Sequence, residues 1–523
     1  MDGNLAALTG RRWDCVVVGG GHNGLAAAAY LARSGLAVVV LERRDRLGGA
    51  CTLERPFADP GYVVSPCAYL VGLLDPLIID ELDLRAHGYR VRVVDPHLWC
   101  PFTDGTSLTL WADTARTFAS VAALSADDAE GYLAYAALFR RIRRALRGPP
   151  RDLWFGTPPD RAEVEERLAD DHEAVEVLFE ASIADVVERH VGDERLRTAL
   201  HGQGIIGTYA GPRDPGTALV HAMHAMGTIE GVGGAWGYVE GGMGRVSLAL
   251  ADAARDAGAV VMAGVEVGAI VPGEGVLLDG GDLVRATTVL SNADPKRLVA
   301  LCGDAVPDHW RRQVAAWRTD SPVVKVNCGL TRLPRFTAAG PDDRPHRAMV
   351  TVSTGIDATQ RAYDASRQGE PAPEWCELYF HTAYDRSVAP AGRHTMSVFA
   401  QYAPAQLATG DWDSRREEIG DRVLAAVARF APEVVEVVEH RQVLGPPDVE
   451  ARIGLTGGHI FQGECLPDQM WDRRLPTRTP MPGVYLCGAT THPGGGVSAI
   501  NGRNAAMAVL ADLRRAGPGL RSP

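Results

Sequence analysis

One segment restricts the fold of this chain more than any other. Asp14–Val18 is a short, apolar, β-branched run that leads directly into Gly19-Gly20-Gly21-His22-Asn23-Gly24. Such a run reads as a buried strand. Its glycines fall as GxGxxG at Gly19, Gly21 and Gly24. An alanine-rich helix over Leu25–Arg33 comes next, with Gly35 placed to cap it. A second strand, Leu36–Leu41, ends in Glu42, 23 residues after the first glycine. In this βαβ unit Gly19 permits the tight turn, Gly21 lets backbone approach a diphosphate, and Gly24 lets the helix pack close to the strand. The helix N-terminus offers free N–H groups and the positive end of its dipole. Glu42 is placed to accept hydrogen bonds from ribose hydroxyls. The unit is therefore expected to bind a dinucleotide; the competing reading is a glycine-rich turn without a ligand.

The segment after Glu42 separates two classes of dinucleotide. Arg43-Arg44-Asp45-Arg46-Leu47-Gly48-Gly49-Ala50-Cys51-Thr52 resembles the RxGG motif that succeeds the second strand in glutathione-reductase-like FAD families. Gly48 and Gly49 again allow backbone to approach a cofactor. Those families carry an arginine after the pair, where this chain has Ala50.

The middle and end of the chain agree. Leu248–Ala257 reads as a helix, and Val260–Met262, Val265–Val271, Val276–Leu278 and Val284 as strands around the turn Asp279-Gly280-Gly281. Thr287–Leu290 leads into Ser291-Asn292-Ala293-Asp294-Pro295, with Pro295 opening the next helix. Near the C-terminus the strand Val484–Cys487 ends in a glycine loop through Gly496, and a helix begins near Asn501. This repeats the first construction: a helix N-terminus behind glycines favours an electron-rich group, such as the N1/O2 edge of a flavin.

Four segments carry a family resemblance: the GxGxxG with Arg46–Thr52, Gly237–Gly244, Ser291–Pro295, and Gly488–Gly496. Together they resemble the phytoene-desaturase-like flavoproteins of the flavin amine oxidase superfamily. Gly61–Leu70, Gly234–Tyr238 and Gly458–Glu464 resemble the branch called pyridine nucleotide-disulfide oxidoreductase domain-containing proteins. The resemblance implies an α/β fold: a glutathione-reductase-like Rossmann FAD-binding domain with an inserted mixed α+β substrate domain. The expected division is 1–95, 235–300 and 451–523 for FAD, and 96–234 and 301–450 for substrate. FAD, bound non-covalently, is expected to touch Gly19, Gly21, His22, Asn23, Gly24, Glu42, Arg43, Gly48, Gly49, Ala50, Val265, Asn292, Gly488, His492, Pro493, Gly495, Gly496 and Val497.

Composition excludes other classes. A net charge of −12 argues against nucleic-acid binding. None of the nine cysteines forms a CxxC or CxxxxC pair, so neither a zinc ribbon nor a redox disulfide beside the flavin is expected, and no metal site is assigned. Scattered thiols suit a reducing cytoplasm. Met1–Trp13 lacks a signal-peptide pattern, and the longest apolar stretch, Leu25–Ala32, is eight residues where a membrane span needs about 20. No second GxGxxG stands behind a strand, so electrons are expected to leave for oxygen, a quinone or another carrier rather than NAD(P).

The remaining segments should bind substrate. Helices are expected over Ala115–Leu124, Ala126–Arg147, Arg161–His190, Arg195–Gly202, Trp310–Ala316 and 414–429, and strands over Val323–Leu330, Ala348–Val352, Glu377–Thr382 and His394–Ala400. His221 and His224, spaced i and i+3, can share a helix face, and either could accept a proton; core histidines are the alternative. Trp236 and Tyr238 alternate ahead of the glycines and could line the pocket. Lys325 shares a strand face with Asn327. The catalytic candidates are Lys325, His224 and Tyr238. Residues 139–147 hold five arginines, with Phe139, Ile142 and Leu146 on one face. They read either as a peripheral membrane contact admitting a lipophilic substrate or as a solvated helix with acidic partners.

The function expected is oxidation of a small or lipophilic substrate, with a hydride passing to flavin N5 and a base taking a proton. Alternatives are amine oxidation, a redox-neutral polyene isomerase and a non-catalytic flavoprotein; a homodimer is left open. Of 53 basic residues only Lys296 and Lys325 are lysine, and only six residues are asparagine. Codon bias accounts for the scarcity. The survivors should then mark positions where Arg, Asp or Ser does not serve, which singles out Lys325.

Overall fold

A computed structural model describes residues 8–517. The apolar run expected as the first strand pairs over Arg12–Val18, and its residues from Cys15 onward are buried. It lies between two parallel neighbours, Val38–Glu42 and Leu283–Ser291, and Val260–Ala263 extends the sheet beyond Val38–Glu42. The short strand Val484–Leu486 also runs parallel to Leu283–Ser291. On the other flank the Val267–Val271 and Gly275–Leu278 hairpin joins antiparallel. Helix His22–Arg33 is wedged between Gly244–Asp256 and Ile500–Ala516. The alanines of its middle make this possible: Ala26–Ala29 are fully buried and present little bulk to either neighbour.

A second seven-stranded sheet runs in the order Val438–Leu444, Val323–Leu330, His394–Gln401, Trp375–Tyr379, Met349–Val352, Leu98–Pro101 and Ser107–Leu110. All eight residues of Val323–Leu330 are buried, as befits a strand covered on both faces. Helix Trp412–Ala428 covers one side of this sheet.

The helical part departs from expectation at one place. Arg161–His190 is three helices, Arg161–Leu168, His172–Phe179 and Ser182-capped Ile183–His190, not one. Asp171 accepts from the Ala174 N–H, and Ser182 forms a reciprocal capping box with Asp185. Side chains that satisfy free backbone N–H groups start new helices and end the preceding ones.

Helix Ala129–Arg147 corrects the membrane-patch reading of 139–147. Phe139, Ile142 and Leu146 are buried in the helical layer, so its apolar face is spent on the protein. Arg141 pairs with Asp171 and Glu173, and Arg147 with Asp75 and Asp152. No helix among the described residues is long and apolar enough to cross a membrane.

Candidate functional site

A cavity of about 360 Å³ runs between the two sheets. At one end its wall is the glycine turn. Gly24 has no room for a side chain, because a Cβ there would stand 2.3 Å from the Gly19 carbonyl oxygen. Gly48, at φ +112°, donates its N–H to the Gly20 carbonyl at 2.8 Å and so ties the second glycine segment to the first. That conformation is one L side chains rarely adopt. Asn292 closes the third side, its Nδ2 donating to the Gly19 carbonyl at 3.3 Å.

The helix starting at His22 has neither a side-chain cap nor an acidic residue in its first turn. Its first N–H groups are therefore available to an anion. Glu42 is oriented by the Gly20 and Arg44 N–H groups, at 2.8 and 2.9 Å on its two oxygens. A carboxylate has about four acceptor positions, so two bonds leave it able to accept more. Burial pushes His22 down to about 4, and a hydrogen bond to the Gly496 backbone opposes this only in part. Its ring is thus neutral and joins the first helix to the C-terminal glycine loop.

Among the described residues, four buried polar atoms on the cavity lining have no partner: His22 Nε2, Asn23 Oδ1 and Gln462 Oε1, with His224 Nδ1 farther along. Leaving one such group unsatisfied costs roughly 1–3 kcal/mol. A ligand with donors and acceptors spread along its length would satisfy them, which fits a dinucleotide and not an apolar molecule.

At the other end the wall is made of side chains. Lys325 lies on Val323–Leu330, the strand next to the Val438–Leu444 edge of the second sheet, and is 3% exposed. Its Nζ donates to Ser397 Oγ, which donates in turn to Asn327 Oδ1 at 2.9 Å. The expected shared face of Lys325 and Asn327 is therefore real, with one serine bridging them. The ammonium also sits 4.2 Å from the centre of the Tyr69 ring. Burial lowers Lys325 to about 7, while the nearby Cys67 and Cys328 thiols pull it upward. The Tyr69 ring packs against Tyr379 at 4.3 Å, tilted by 33°, and Tyr379 donates to the buried Glu377. Burial raises Glu377 to about 7, and hydrogen bonds from Tyr379, Gln203 and Thr351 work against that rise.

The other two catalytic candidates part company. His224 lines the cavity, buried and neutral, its pKa lowered to about 4 by desolvation. Tyr238 does not line it: its ring packs 4.6 Å from His381 and 4.9 Å from Tyr384. The strand holding Tyr238 begins only at Gly237, so the alternation expected from Trp236 does not hold, and it is Trp236 that faces the cavity. His221 turns away and stacks on Phe139 at 3.9 Å.

Of the residues expected to touch FAD, Gly19, Gly21, His22, Asn23, Glu42, Arg43, Gly48, Gly49, Ala50, Asn292, Gly496 and Val497 line the cavity. Gly24, Val265, Gly488, His492, Pro493 and Gly495 do not. Gly24 is packed against the first strand, and Glu266 and Val267 stand where Val265 was expected. His492 faces away and holds the Leu153 carbonyl at 2.7 Å, while a side chain at Gly495 would strike Phe461. Sequence reasoning did not assign Tyr69, Arg297, Phe399, Phe461 or Gln462 to the site. Phe461 and Gln462 fall within Gly458–Glu464, which carried a signal of resemblance but no signal of role.

With that geometry in place, the chain can be set beside known proteins. Residues 113–510 match the family of flavin containing amine oxidoreductases, and residues 17–71 match the NAD(P)-binding Rossmann-like domain. The chain is 34% identical to the rat (Rattus norvegicus) pyridine nucleotide-disulfide oxidoreductase domain-containing protein 2, over 96% of this chain and 94% of that one. It is 28% identical to hydroxyneurosporene desaturase of Cereibacter sphaeroides, over 95% and 97% of the two chains. The solved structure of wild-type putrescine oxidase bound to putrescine has the same fold, with a TM-score of 0.58 at 17% identity over 97% of this chain and 99% of that one.

Proposed function

The chain belongs to the flavin-containing amine oxidoreductase family, and from that premise we propose that this flavin-dependent oxidoreductase dehydrogenates an organic substrate, creating a C=C or C=N bond, with FAD held non-covalently. The first helix, with Gly19, Gly21 and Asn23, would hold the diphosphate, Glu42 the ribose, and Gly496 and Val497 the flavin end. When bound, the flavin supplies the two-electron acceptor for a hydride leaving an activated substrate carbon.

The observation that carries this reading is Lys325: a buried lysine, its pKa brought down to about 7 by desolvation, lining the end of the cavity away from the glycine turn. Its Nζ takes the proton that leaves the substrate, and Ser397 and the Tyr69 ring hold it in place. Tyr69, Phe399 and Phe461 keep water from the reacting carbon and orient an apolar substrate. Oxygen or a quinone would take the electrons from the bound flavin.

Anaerobic mixing of the holoenzyme with amines, polyenes and acyl compounds tests this reading. Bleaching of the flavin band by any of them supports it. Product formed only after prior reduction would replace it with a double-bond isomerase.

A further inference from the structure

His224 and Trp236 have a second duty. Both also line a smaller cavity of about 180 Å³, so these two side chains are the partition between it and the large one. Leu98, Leu110, Tyr132, Phe139 and Met349 make the smaller cavity apolar. Its three histidines, His97, His221 and His224, are held neutral by burial, with pKa values near 4, 3 and 4. Among the described residues no carboxylate lines it, and its charge comes from two arginines of helix Ala129–Arg147, Arg140 and Arg143.

Those arginines differ from their neighbours. Arg141 and Arg147 each pair with two carboxylates, whereas among the described residues neither Arg140 nor Arg143 has a carboxylate within ion-pair distance. Arg140 is exposed, and Arg143 is half-buried. The one hydrogen bond of Arg143 is long, 3.4 Å to the Gly227 carbonyl. Burial and the surrounding cations Arg147, Arg140 and Arg144 all press its pKa down. A half-buried guanidinium without a counterion, beside an apolar cavity, is costly unless an anion completes it. A second unmet need lies at the partition, where His224 Nδ1 is buried without a partner.

We propose that the substrate is an amphiphile with an anionic head, a carboxylate or a phosphate, and that Arg140 and Arg143 hold this head while the apolar chain passes His224 and Trp236 into the flavin cavity. This rests on the dehydrogenation reading above for what happens at the chain, but not for where the head binds. The arginine-rich segment thus recognises a charge at the end of a lipophilic molecule and not a membrane surface. Arginine suits either head because its planar fork matches both oxyanions.

The test is a titration of the oxidised holoenzyme, monitored by the flavin difference spectrum, with decanoate, decyl phosphate, decanol and decyltrimethylammonium. Decanoate or decyl phosphate should bind at least tenfold more tightly than decanol, and the tighter of the two identifies the head. The cation should bind most weakly. In R140Q/R143Q the preferred anion should lose about tenfold to a hundredfold in affinity while decanol is unchanged. R140Q alone, at an exposed position, should lose part of this and guards against misfolding of the double variant. Equal binding of decanol and both anions, or an equal loss for decanol and anion in the variants, overturns the proposal. No turnover enters the measurement: a protein that discriminates heads yet is not bleached by any of the amines, polyenes or acyl compounds retains this site and loses the dehydrogenation reading.

Discussion

At the glycine-turn end of the large cavity the wall is mostly backbone, drawn from Gly19, Gly21–Asn23 and Gly48–Ala50, while at the other end it is side chains: Tyr69, His224, Trp236, Lys325, Phe399 and Phe461. The first group sits within one βαβ unit and its adjoining loop. The second is gathered from segments that lie hundreds of residues apart. Backbone recognition needs glycines at fixed spacing, so it leaves a readable pattern. Side-chain recognition needs only that the right groups meet, and many sequences arrange that.

The comparison breaks first at Gly24. Gly24→Val would push side-chain carbon into the Gly19 carbonyl, so the purified protein should carry less than about a tenth of the wild-type flavin absorbance; full occupancy would mean the turn is not the binding element. Next is Lys325. Lys325→Met should keep its flavin but slow reduction by substrate about 10²- to 10⁴-fold, the range for a proton-accepting group. Because the neutral amine is the active form, wild-type rates should rise as pH passes through about 7, and this limb should vanish in the variant. A rate that is unchanged in stopped-flow traces would return Lys325 to a purely structural part.

Glu377 sharpens the contrast from the stability side. Burial raises it from 4.5 to about 7, so its folded pKa lies above its unfolded one. Its neutral form is favoured in the fold below about 4.5, and that advantage is lost as pH climbs toward 7. Between those pH values, wild type should lose about 3 kcal/mol relative to Glu377→Gln in urea unfolding, whatever the offset between the two curves. Parallel curves would show the carboxyl to be ionised at no cost. The smallest effect belongs to His221, which stacks on Phe139 away from the flavin cavity. His221→Phe should leave the flavin absorbance of the purified protein at the wild-type level, since its ring lies outside the large cavity; a loss of flavin would place His221 in that site.

The scarce asparagines show where composition carried information. Asn501 Nδ2 donates to the Thr491 and Gly494 carbonyls. Asn504 accepts from the Gly156 N–H and donates to the Trp154 and His492 carbonyls. Aspartate has no donor, and arginine has no acceptor. These are roles that neither replacement fills. Lys325, one of the two surviving lysines, fits the same pattern: burial lowers its pKa, whereas a guanidinium would stay charged in that pocket.

By itself the sequence determined the βαβ unit, its glycine contacts, the acid at Glu42 and the class of cofactor, because each depends on residues within one local span whose backbone geometry admits few solutions. The strands of the first sheet and four of the second were legible for a related reason, since burial on two faces forces continuous apolar runs, while Leu98–Pro101, Ser107–Leu110 and Val438–Leu444 of the second sheet were not. The tertiary structure decided that Trp236 and not Tyr238 meets the cavity, that Glu266 and Val267 replace Val265, and that Phe139, Ile142 and Leu146 face inward. It also decided that Arg140 and Arg143 meet no carboxylate among the described residues while Arg141 and Arg147 do. These outcomes turn on which surfaces pack together and which carboxylates arrive from distant segments. No local pattern of residues encodes that.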